Sequence, residues 1–470
     1  MSIIIPANSA VGGGFEVANG VRMNRGSSDY FRRTNNTAGT SDKIGTYSGW
    51  VKRSTTTLDG LFFEGKDLAA NNYTQIYFQA TGALTIYGST GPMDIVTTAL
   101  FRDPSAWYHV VVAFDTTQGT ATNRVKVYVN GVQFTSVTNG NGNAAQYPAE
   151  NSTIYFAVNG DQQGIGIRED GALLWNGYMS EIVYVDGQAL APTSFGEFDE
   201  DSGVWKPINV SGLTFGNNGC YLDFEDSSNL GNVVAGNSTD FTENGLTAVD
   251  QTTDTCTNNF ATFNSLDSYW QGNTYSEGNI KVLTGTSPYN YNSSTIGVSS
   301  GKWYVEVKMT AHSETDGNNY SMIGITSKLT TSATDFLGQN ASDWRYYGQN
   351  GTIRNNGSDS SYGNSYAVGD IIGIALNLDD NELKFYKNGT VQNSGTAISI
   401  TAAASTPIGS YFIAVGYYDG ADNGTFEINF GSPSFAISSG NADGDGYGNF
   451  EYAVPSGFYA ICTKNLAEYG

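Results

Sequence analysis

Period-two alternation is clearest in Trp303-Tyr304-Val305-Glu306-Val307-Lys308-Met309. The odd positions of this stretch are apolar, whereas Glu306 and Lys308 point the other way. Because successive side chains of a β-strand lie on opposite faces, the stretch predicts a half-buried strand. No segment carries a sustained apolar stripe of helical period, so the chain is predicted to be all-β.

Two other strand patterns end at an Asn-Gly pair. The sequence reads Lys-Val-Tyr-Val-Asn-Gly at 126–131 and Lys-Phe-Tyr-Lys-Asn-Gly at 384–389. Both residues of an Asn-Gly pair tolerate positive φ, which makes the pair the strongest short-range signal of a β-hairpin. A buried apolar strand and an acidic turn precede each pair, at 107–115 and 369–379. This repeated strand–turn–strand pattern predicts two sandwich domains of related design.

The composition excludes several functional classes. The chain has 470 residues, with 22 Lys and Arg against 45 Asp and Glu, and its formal net charge is −23. Nucleic acid is excluded as a partner, because its binding draws on clustered basic side chains. Three cysteines are too few for a disulfide framework. The start lacks a secretion signal and no apolar run reaches the ~20 residues of a membrane span, so synthesis in the cytosol without membrane insertion is predicted.

Shifts in composition divide the chain into five parts. The middle part is rich in Asn, Thr, Ser, Asp and Gly and reads as an acidic connector or as a small β-module packed on a neighbour. The five parts are an N-terminal arm (1–19), a first sandwich (20–195), the acidic, loop-rich connector or module (196–265), a second sandwich (266–435) and a C-terminal loop and strand (436–470).

The second sandwich resembles the SPRY domain family. The matching segments lie in family order at 301–307, 323–325, 369–373, 383–389 and 428–431. The resemblance implies a bent β-sandwich of two sheets, whose variable loops bind protein partners without catalysis.

The first sandwich resembles the laminin G-like, concanavalin A-like lectin family. The similar segments are an opening strand at 21–31, a Gly-Trp-Val-Lys strand at 49–52, the strand at 107–110, the hairpin at 128–131 and the closing strands at 176–190. Both families have the jelly-roll sandwich, so two concanavalin-like jelly-roll domains are expected.

The combination of the two modules resembles virion appendage proteins of tailed bacteriophages. Trp205-Lys206-Pro207, the segment 258–262 and the closing segment 455–466 fit the same group. The resemblance implies a fibre or spike adhesin on the virion, made in the host cytoplasm, which binds a host-surface glycan or protein non-covalently. Other virion proteins and further copies of the chain are the implied partners. The alternatives are a capsid or tail decoration protein without an external ligand and, less favoured, a polysaccharide depolymerase.

Aromatic and arginine side chains suggest a ligand-binding face in the SPRY-like half. Such side chains supply flat rings and planar hydrogen bonding for sugars or proteins, although rings between two sheets also serve as core. From this we predict that Trp344→Ala lowers attachment to host cells without unfolding the protein. The candidate residues are Trp344, Arg345, Tyr346, Tyr347, Tyr417, Tyr418 and Asp419.

Neither a carboxylate pair on one strand nor a nucleophile beside a histidine is evident, so no enzyme is predicted. His109 lies in an apolar strand and is interpreted as a structural histidine. Calcium is the one cofactor considered, with Asp443, Asp445 and Asn449 as candidate ligands in a Gly-rich loop. That loop departs from the EF-type pattern because Tyr452 occupies its twelfth position, so a plain turn is the alternative.

Overall fold

A computed structural model describes residues 14–89, 92–267, 272–287, 289–313, 315–328 and 335–470. The chain divides into two compact units, Met1–Asn258 and Asn259–Gly470, called unit 1 and unit 2 below. The greater part of the predicted N-terminal arm, residues 1–13, lies outside the described residues.

Unit 1 consists of β-strands and short 3-10 turns in its described part. The strands are β1 (Gly20–Met23), β2 (Tyr30–Thr34), β3 (Ile44–Arg53), β4 (Gly60–Asp67), β5 (Asn72–Phe78), β6 (Ala83–Gly88), β7 (Met93–Leu100), β8 (Trp107–Asp115), β9 (Val125–Val129), β10 (Val132–Phe134), β11 (Val137–Thr138), β12 (Gln162–Ile165), β13 (Gly177–Asp186), β14 (Gly196–Phe198), β15 (Trp205–Pro207), β16 (Cys220–Leu222), β17 (Ala235–Gly236), β18 (Thr242–Asn244) and β19 (Gln251–Thr252).

All of these strands except β14 and β15 form two packed sheets, while β14 and β15 pair with each other in a separate two-stranded sheet. One sheet has the order β10-β9-β8-β3-β13-β1-β19, with β16 beside β13 and β17 beside β16, and the other has the order β11-β7-β6-β5-β4-β12-β2-β18. Val51 and Val110 from the first sheet share one buried core with Phe63 and Ile76 from the second. Much of the stretch 196–265, predicted as a connector or as a small β-module packed on a neighbour, pairs with strands of this sandwich: β16 with β13, β18 with β2 and β19 with β1.

Unit 2 contains the remaining strands and, within the described residues, a single α-helix. Its elements are β20 (Thr274–Ser276), β21 (Lys281–Leu283), β22 (Asn290–Ser293), β23 (Lys302–His312), β24 (Ser321–Thr326), β25 (Asp343–Tyr347), β26 (Thr352–Asn355), β27 (Ser358–Ser361), β28 (Ile371–Asn377), β29 (Glu382–Lys387), β30 (Thr390–Val391), β31 (Ile398–Ser399), β32 (Phe412–Tyr417), β33 (Gly424–Asn429), β34 (Tyr459–Ala460) and α1 (Thr463–Tyr469).

Unit 2 is also a sandwich of two sheets. The first sheet has the order β20-β21-β33-β23-β28-β29-β30, with β31 beside β29 and β34 beside β23, and the second has the order β22-β32-β24-β25-β26-β27. The prediction of an all-β chain with two β-sandwich domains is therefore confirmed. No helix in the described ranges is long and apolar enough to cross a membrane.

Both Asn-Gly hairpins form as predicted. Asn130 and Gly131 adopt φ of 48° and 77° between β9 and β10, and Asn388 and Gly389 adopt 46° and 75° between β29 and β30. The positive φ at both central positions matches the twist of the flanking strands, as in a type I′ turn.

The predicted half-buried strand is instead buried on both faces at Glu306, whereas Lys308 on the same outer face is half-buried. Val305 and Val307 lie in the core as expected, but Glu306 on the opposite face is also fully buried. The segment around Glu451 and Tyr452 covers this face, and the backbone N–H groups of both residues donate to the Glu306 carboxylate at 2.9 and 2.8 Å. The prediction was wrong here because the covering segment lies far away in sequence.

The two ends of unit 2 lie side by side. Phe260 and Cys462 form an antiparallel bridge. On either side of it, the Ala261 N–H donates to Ile461 O at 3.1 Å and the Thr463 N–H donates to Asn259 O at 2.9 Å. A segment near the start of unit 2 is thus paired with a segment near its end through an isolated bridge.

Candidate functional site

Strand β25 divides the predicted ligand-binding residues between two faces of the second sheet of unit 2. Trp344 and Tyr346 point into the core between the sheets, where Tyr417 also lies. Arg345 and Tyr347 point to the outer face, as the period-two alternation of a strand requires. The outer side chains gather with Phe336, Arg354, Asp359 and Tyr418. These six residues, Phe336, Arg345, Tyr347, Arg354, Asp359 and Tyr418, are called the arginine–aromatic cluster.

Arg345 lies at the centre of the arginine–aromatic cluster. Its guanidinium carbon is 4.2 Å from the ring centroid of Tyr347, 5.5 Å from that of Phe336 and 5.8 Å from that of Tyr418. Each distance is within reach of a cation–π attraction. Only 4% of Arg345 is exposed, so the surrounding rings replace much of the water that a guanidinium normally holds.

A single carboxylate serves two arginines in the cluster. Arg345 and Arg354 are direct cross-strand neighbours, and Arg354 is in turn opposite Asp359. Arg354 Nη1 donates to Asp359 Oδ2 at 2.6 Å, while Arg345 Nη2 lies 3.6 Å from Asp359 Oδ1. Like charges directly opposite on neighbouring strands repel, and Asp359 offsets that repulsion.

Burial shapes the electrostatics of the site. Desolvation lowers the pKa of Arg345, the nearby Asp359 carboxylate raises it, and Arg354 lowers it further. Burial also raises the pKa of the Tyr347 hydroxyl. The centre of the cluster is therefore a positive, poorly hydrated surface rimmed by aromatic rings.

The remaining candidate residues have structural contacts of their own. Trp344 is 4% exposed, and its ring lies 5.9 Å from that of Tyr411 in an edge-on contact. It is a core residue, which corrects its placement on an open recognition face. Tyr417 is buried, with its hydroxyl 3.2 Å from His312 Nδ1. Asp419 accepts from the Ala421 and Asp422 N–H groups and so caps its own turn.

Tyr418 is half-buried and is the predicted aromatic residue that borders the open side of the cluster. Ligand binding at this face stays a prediction. Sequence reasoning missed Phe336, Arg354 and Asp359, because they come from separate segments and no local pattern links them to Arg345.

The Gly-rich loop proposed to bind calcium is organised by protein donors. Asp443 Oδ1 accepts from the Asp445 and Tyr447 N–H groups at 3.0 and 2.9 Å. Its Oδ2 accepts from the Ala460 N–H and from Asn465 Nδ2, at 2.9 and 2.8 Å. Four donors occupy the acceptor sites of this carboxylate. Calcium binding by Asp443, Asp445 and Asn449 stays a prediction, and it would require Asp443 to exchange these bonds for the metal.

His109 in unit 1 is held by both of its ring nitrogens. Trp205 Nε1–H donates to its Nδ1 at 2.9 Å, and its Nε2 lies 2.8 Å from Ser48 Oγ. An indole nitrogen can only donate, so the proton of the neutral imidazole resides on Nε2. The rings of Trp50 and Trp205 stack on His109 at 4.7 and 6.0 Å, and burial lowers its pKa to about 3. These contacts are structural, as interpreted from the sequence.

The acidic clusters cap their own turns. Asp199 accepts from the Ser202 N–H, Asp223 from the Glu225 N–H and Asp226 from the Ser228 N–H. Across the described ranges, no group of three or more His, Cys, Asp and Glu side chains is arranged to hold a metal ion.

Comparison with known families finds matches in two regions of the chain. Residues 25–193 match the concanavalin A-like lectin/glucanases superfamily, and residues 302–433 match the SPRY domain. The two domain resemblances are therefore confirmed. Laminin G-like and SPRY domains are typically non-enzymatic binding domains.

Three of the solved structures with a similar region each match about a third of this chain. The SPRY domain of human HERC1 is 20% identical with a TM-score of 0.28, covering 35% of this chain and 96% of its own. The stonustoxin structure is 18% identical with a TM-score of 0.28, and the match covers 36% of this chain and 27% of the stonustoxin chain. The TRIM65 PSpry domain is 16% identical with a TM-score of 0.27, and the match covers 36% of this chain and 88% of the TRIM65 chain. These scores are too low to support a functional argument. No curated protein is similar enough to count as a relative.

Proposed function

We propose that this protein is a non-catalytic adhesin, displayed as a fibre or spike on the virion of a tailed bacteriophage, that binds a host-surface glycan or protein. Two domains of typical binding families in one chain support the adhesive role. The observation that carries it is the arginine–aromatic cluster, which combines two cations and several rings on the outer face of one sheet. Aromatic and arginine side chains dominate the energetics of protein recognition.

The attribution to a virion rests on the combination of the two modules with their flanking segments. Several copies on a symmetric particle would convert weak single contacts into strong attachment, because each later contact forms at a high effective concentration. In this proposal the partners are other virion proteins and further copies of the chain, and no covalent step is involved.

Binding to cells tests the adhesive role. Labelled full-length protein is incubated with a panel of bacterial strains, and the cell-bound fraction is measured for the wild type and for Tyr418→Ala. We expect Tyr418→Ala to weaken binding about tenfold, the loss typical of an interface tyrosine. Tyr87→Ala removes a 36% exposed tyrosine from unit 1 and is the matched control. Equal binding by wild-type protein and a folded Tyr418→Ala variant would contradict a role for this face.

Removal of the protein from particles tests the attribution to a virion. Intact particles that no longer adsorb to cells would support the adhesin. Fragile particles would instead favour the decoration role, in which the protein cements other subunits and binds nothing outside.

A further inference from the structure

The two arginines of the arginine–aromatic cluster have more hydrogen-bond donors than the described residues supply acceptors for. A guanidinium carries five N–H donors. Arg345 Nη1 lies 3.4 Å from the weak acceptor Met322 Sδ, and its contact with Asp359 at 3.6 Å is too long for a good hydrogen bond. The Nε atoms of Arg345 and Arg354 are both buried, and neither has a hydrogen-bond partner among the described residues. A buried donor without an acceptor is costly, so the described residues leave these guanidinium groups short of hydrogen-bond acceptors.

Asp359 is a half-exposed occupant of that site, bonded closely to Arg354 but only distantly to Arg345. It lies on β27, whose residues Ser358–Ser361 are all exposed. Its side chain is 44% exposed, and it is shared between two arginines rather than paired with one. Because this carboxylate is half-exposed and already partly hydrated, its transfer to water costs little when another carboxylate displaces it.

We propose that Arg345 and Arg354 form a carboxylate receptor, in which an Asp or Glu side chain of a partner protein takes the place of Asp359. An incoming carboxylate offers two oxygens to the planar guanidinium groups and can accept hydrogen bonds in pairs. This inference rests on the proposed function and names the chemistry of the ligand that the cluster would recognise.

The rings of the cluster favour an acidic protein segment over an acidic sugar. Both guanidinium groups lie over the Phe336 ring, at 5.5 and 5.3 Å, and Arg345 lies over Tyr347 at 4.2 Å. Ring faces that the arginines already cover are not open for stacking on a sugar. What remains is a cationic centre with an apolar rim, which suits a carboxylate flanked by apolar side chains.

The test uses the full-length protein and synthetic decapeptides. One peptide set carries a central Glu between apolar residues, and the matched set carries Gln at that position. Tetragalacturonate serves as the acidic sugar. Affinities are measured by fluorescence anisotropy for the wild type, Asp359→Asn, Arg354→Gln and the control Asp380→Asn. The control removes a carboxylate from the more exposed Lys302–Asp380 pair of unit 2.

We expect the wild type to prefer the Glu peptides and Asp359→Asn to bind them about fivefold more tightly, because the internal competitor is gone. Arg354→Gln should lose the preference for Glu over Gln, and Asp380→Asn should behave as the wild type. Thermal unfolding of each variant confirms that it is folded.

Unchanged binding of Glu peptides by folded Asp359→Asn would overturn the proposal, as would tighter binding of tetragalacturonate than of the peptides. These outcomes are separate from the adhesive role. If Tyr418→Ala still abolishes attachment to cells, the proposed function stands and the carboxylate receptor alone is rejected.

Discussion

Lowering the pH from 7 to 5 is expected to destabilise unit 1 through the buried imidazole of His109. Burial lowers the pKa of His109 to about 3, whereas an unfolded chain has a histidine pKa of about 6.5. Between these values the unfolded state binds more protons than the folded state, so stability falls as the pH drops below about 6.5. One pKa unit corresponds to about 1.36 kcal/mol, which gives a loss of about 2 kcal/mol at pH 5.

Other groups in unit 1 titrate in the opposite sense. Burial raises the pKa of Glu181 to about 8 and that of Glu64 to about 7. These carboxyl groups bind protons more readily in the folded state, so acidification favours folding through them. The contribution of His109 must therefore be measured as a difference between the wild type and His109→Gln, in which the carboxyl contributions cancel.

The assay is urea unfolding at pH 7 and pH 5, with hydrogen exchange of peptides from β3 and β8 reporting on unit 1. The wild type is expected to be more stable than His109→Gln at pH 7, because the variant loses the stacked ring. The difference in the free energy of unfolding between the two proteins should decrease by about 2 kcal/mol at pH 5, since only the wild type has the buried imidazole. His312→Gln is the control, and any pH effect that both variants share does not come from the buried stack. An equal difference in the free energy of unfolding at both pH values would show that His109 does not cause the loss of stability.

Two further predictions concern buried contacts. Asp254→Asn should destabilise unit 1 by about 3–5 kcal/mol, because the buried ammonium of Lys52, 1% exposed, would lose the carboxylate that lies 2.7 Å away. Urea unfolding measures this loss, and Asp42→Asn in the exposed Lys43 pair should cost less than about 1 kcal/mol. Trp344→Ala should destabilise unit 2 by about 3–5 kcal/mol by leaving a cavity between the sheets; a variant with the wild-type melting temperature would show that the ring is not core.

Local patterns predicted the parts of the fold that local chemistry determines. The Asn-Gly pairs at 130–131 and 388–389 form hairpins because their conformational preference is intrinsic to two adjacent residues. The alternation at 303–309 correctly located a strand and its core face. It failed for Glu306, whose burial depends on Glu451 and Tyr452, more than a hundred residues later in the chain.

The site was predicted only in part for the same reason. The run at 344–347 identified the strand, but alternation places Trp344 and Tyr346 in the core and leaves Arg345 and Tyr347 outside. The partners that give Arg345 its chemistry come from other strands and loops. Register between strands brings Arg354 and Asp359 opposite one another, and neither composition nor spacing reveals that register.

The pairing of Phe260 with Cys462 affects how the chain connectivity of unit 2 can be changed. The two segments that contain these residues are direct neighbours, and hydrogen-bonded extended segments lie about 4.8 Å apart. A short loop could therefore join them, and new termini could be opened at an exposed turn such as the one at Gly317. Domains with adjacent ends tolerate circular permutation and insertion into a surface loop of a foreign protein. Unit 2 is therefore suited to insertion into a surface loop of another protein. Such an insertion would bring the arginine–aromatic cluster with it and would need no long linker.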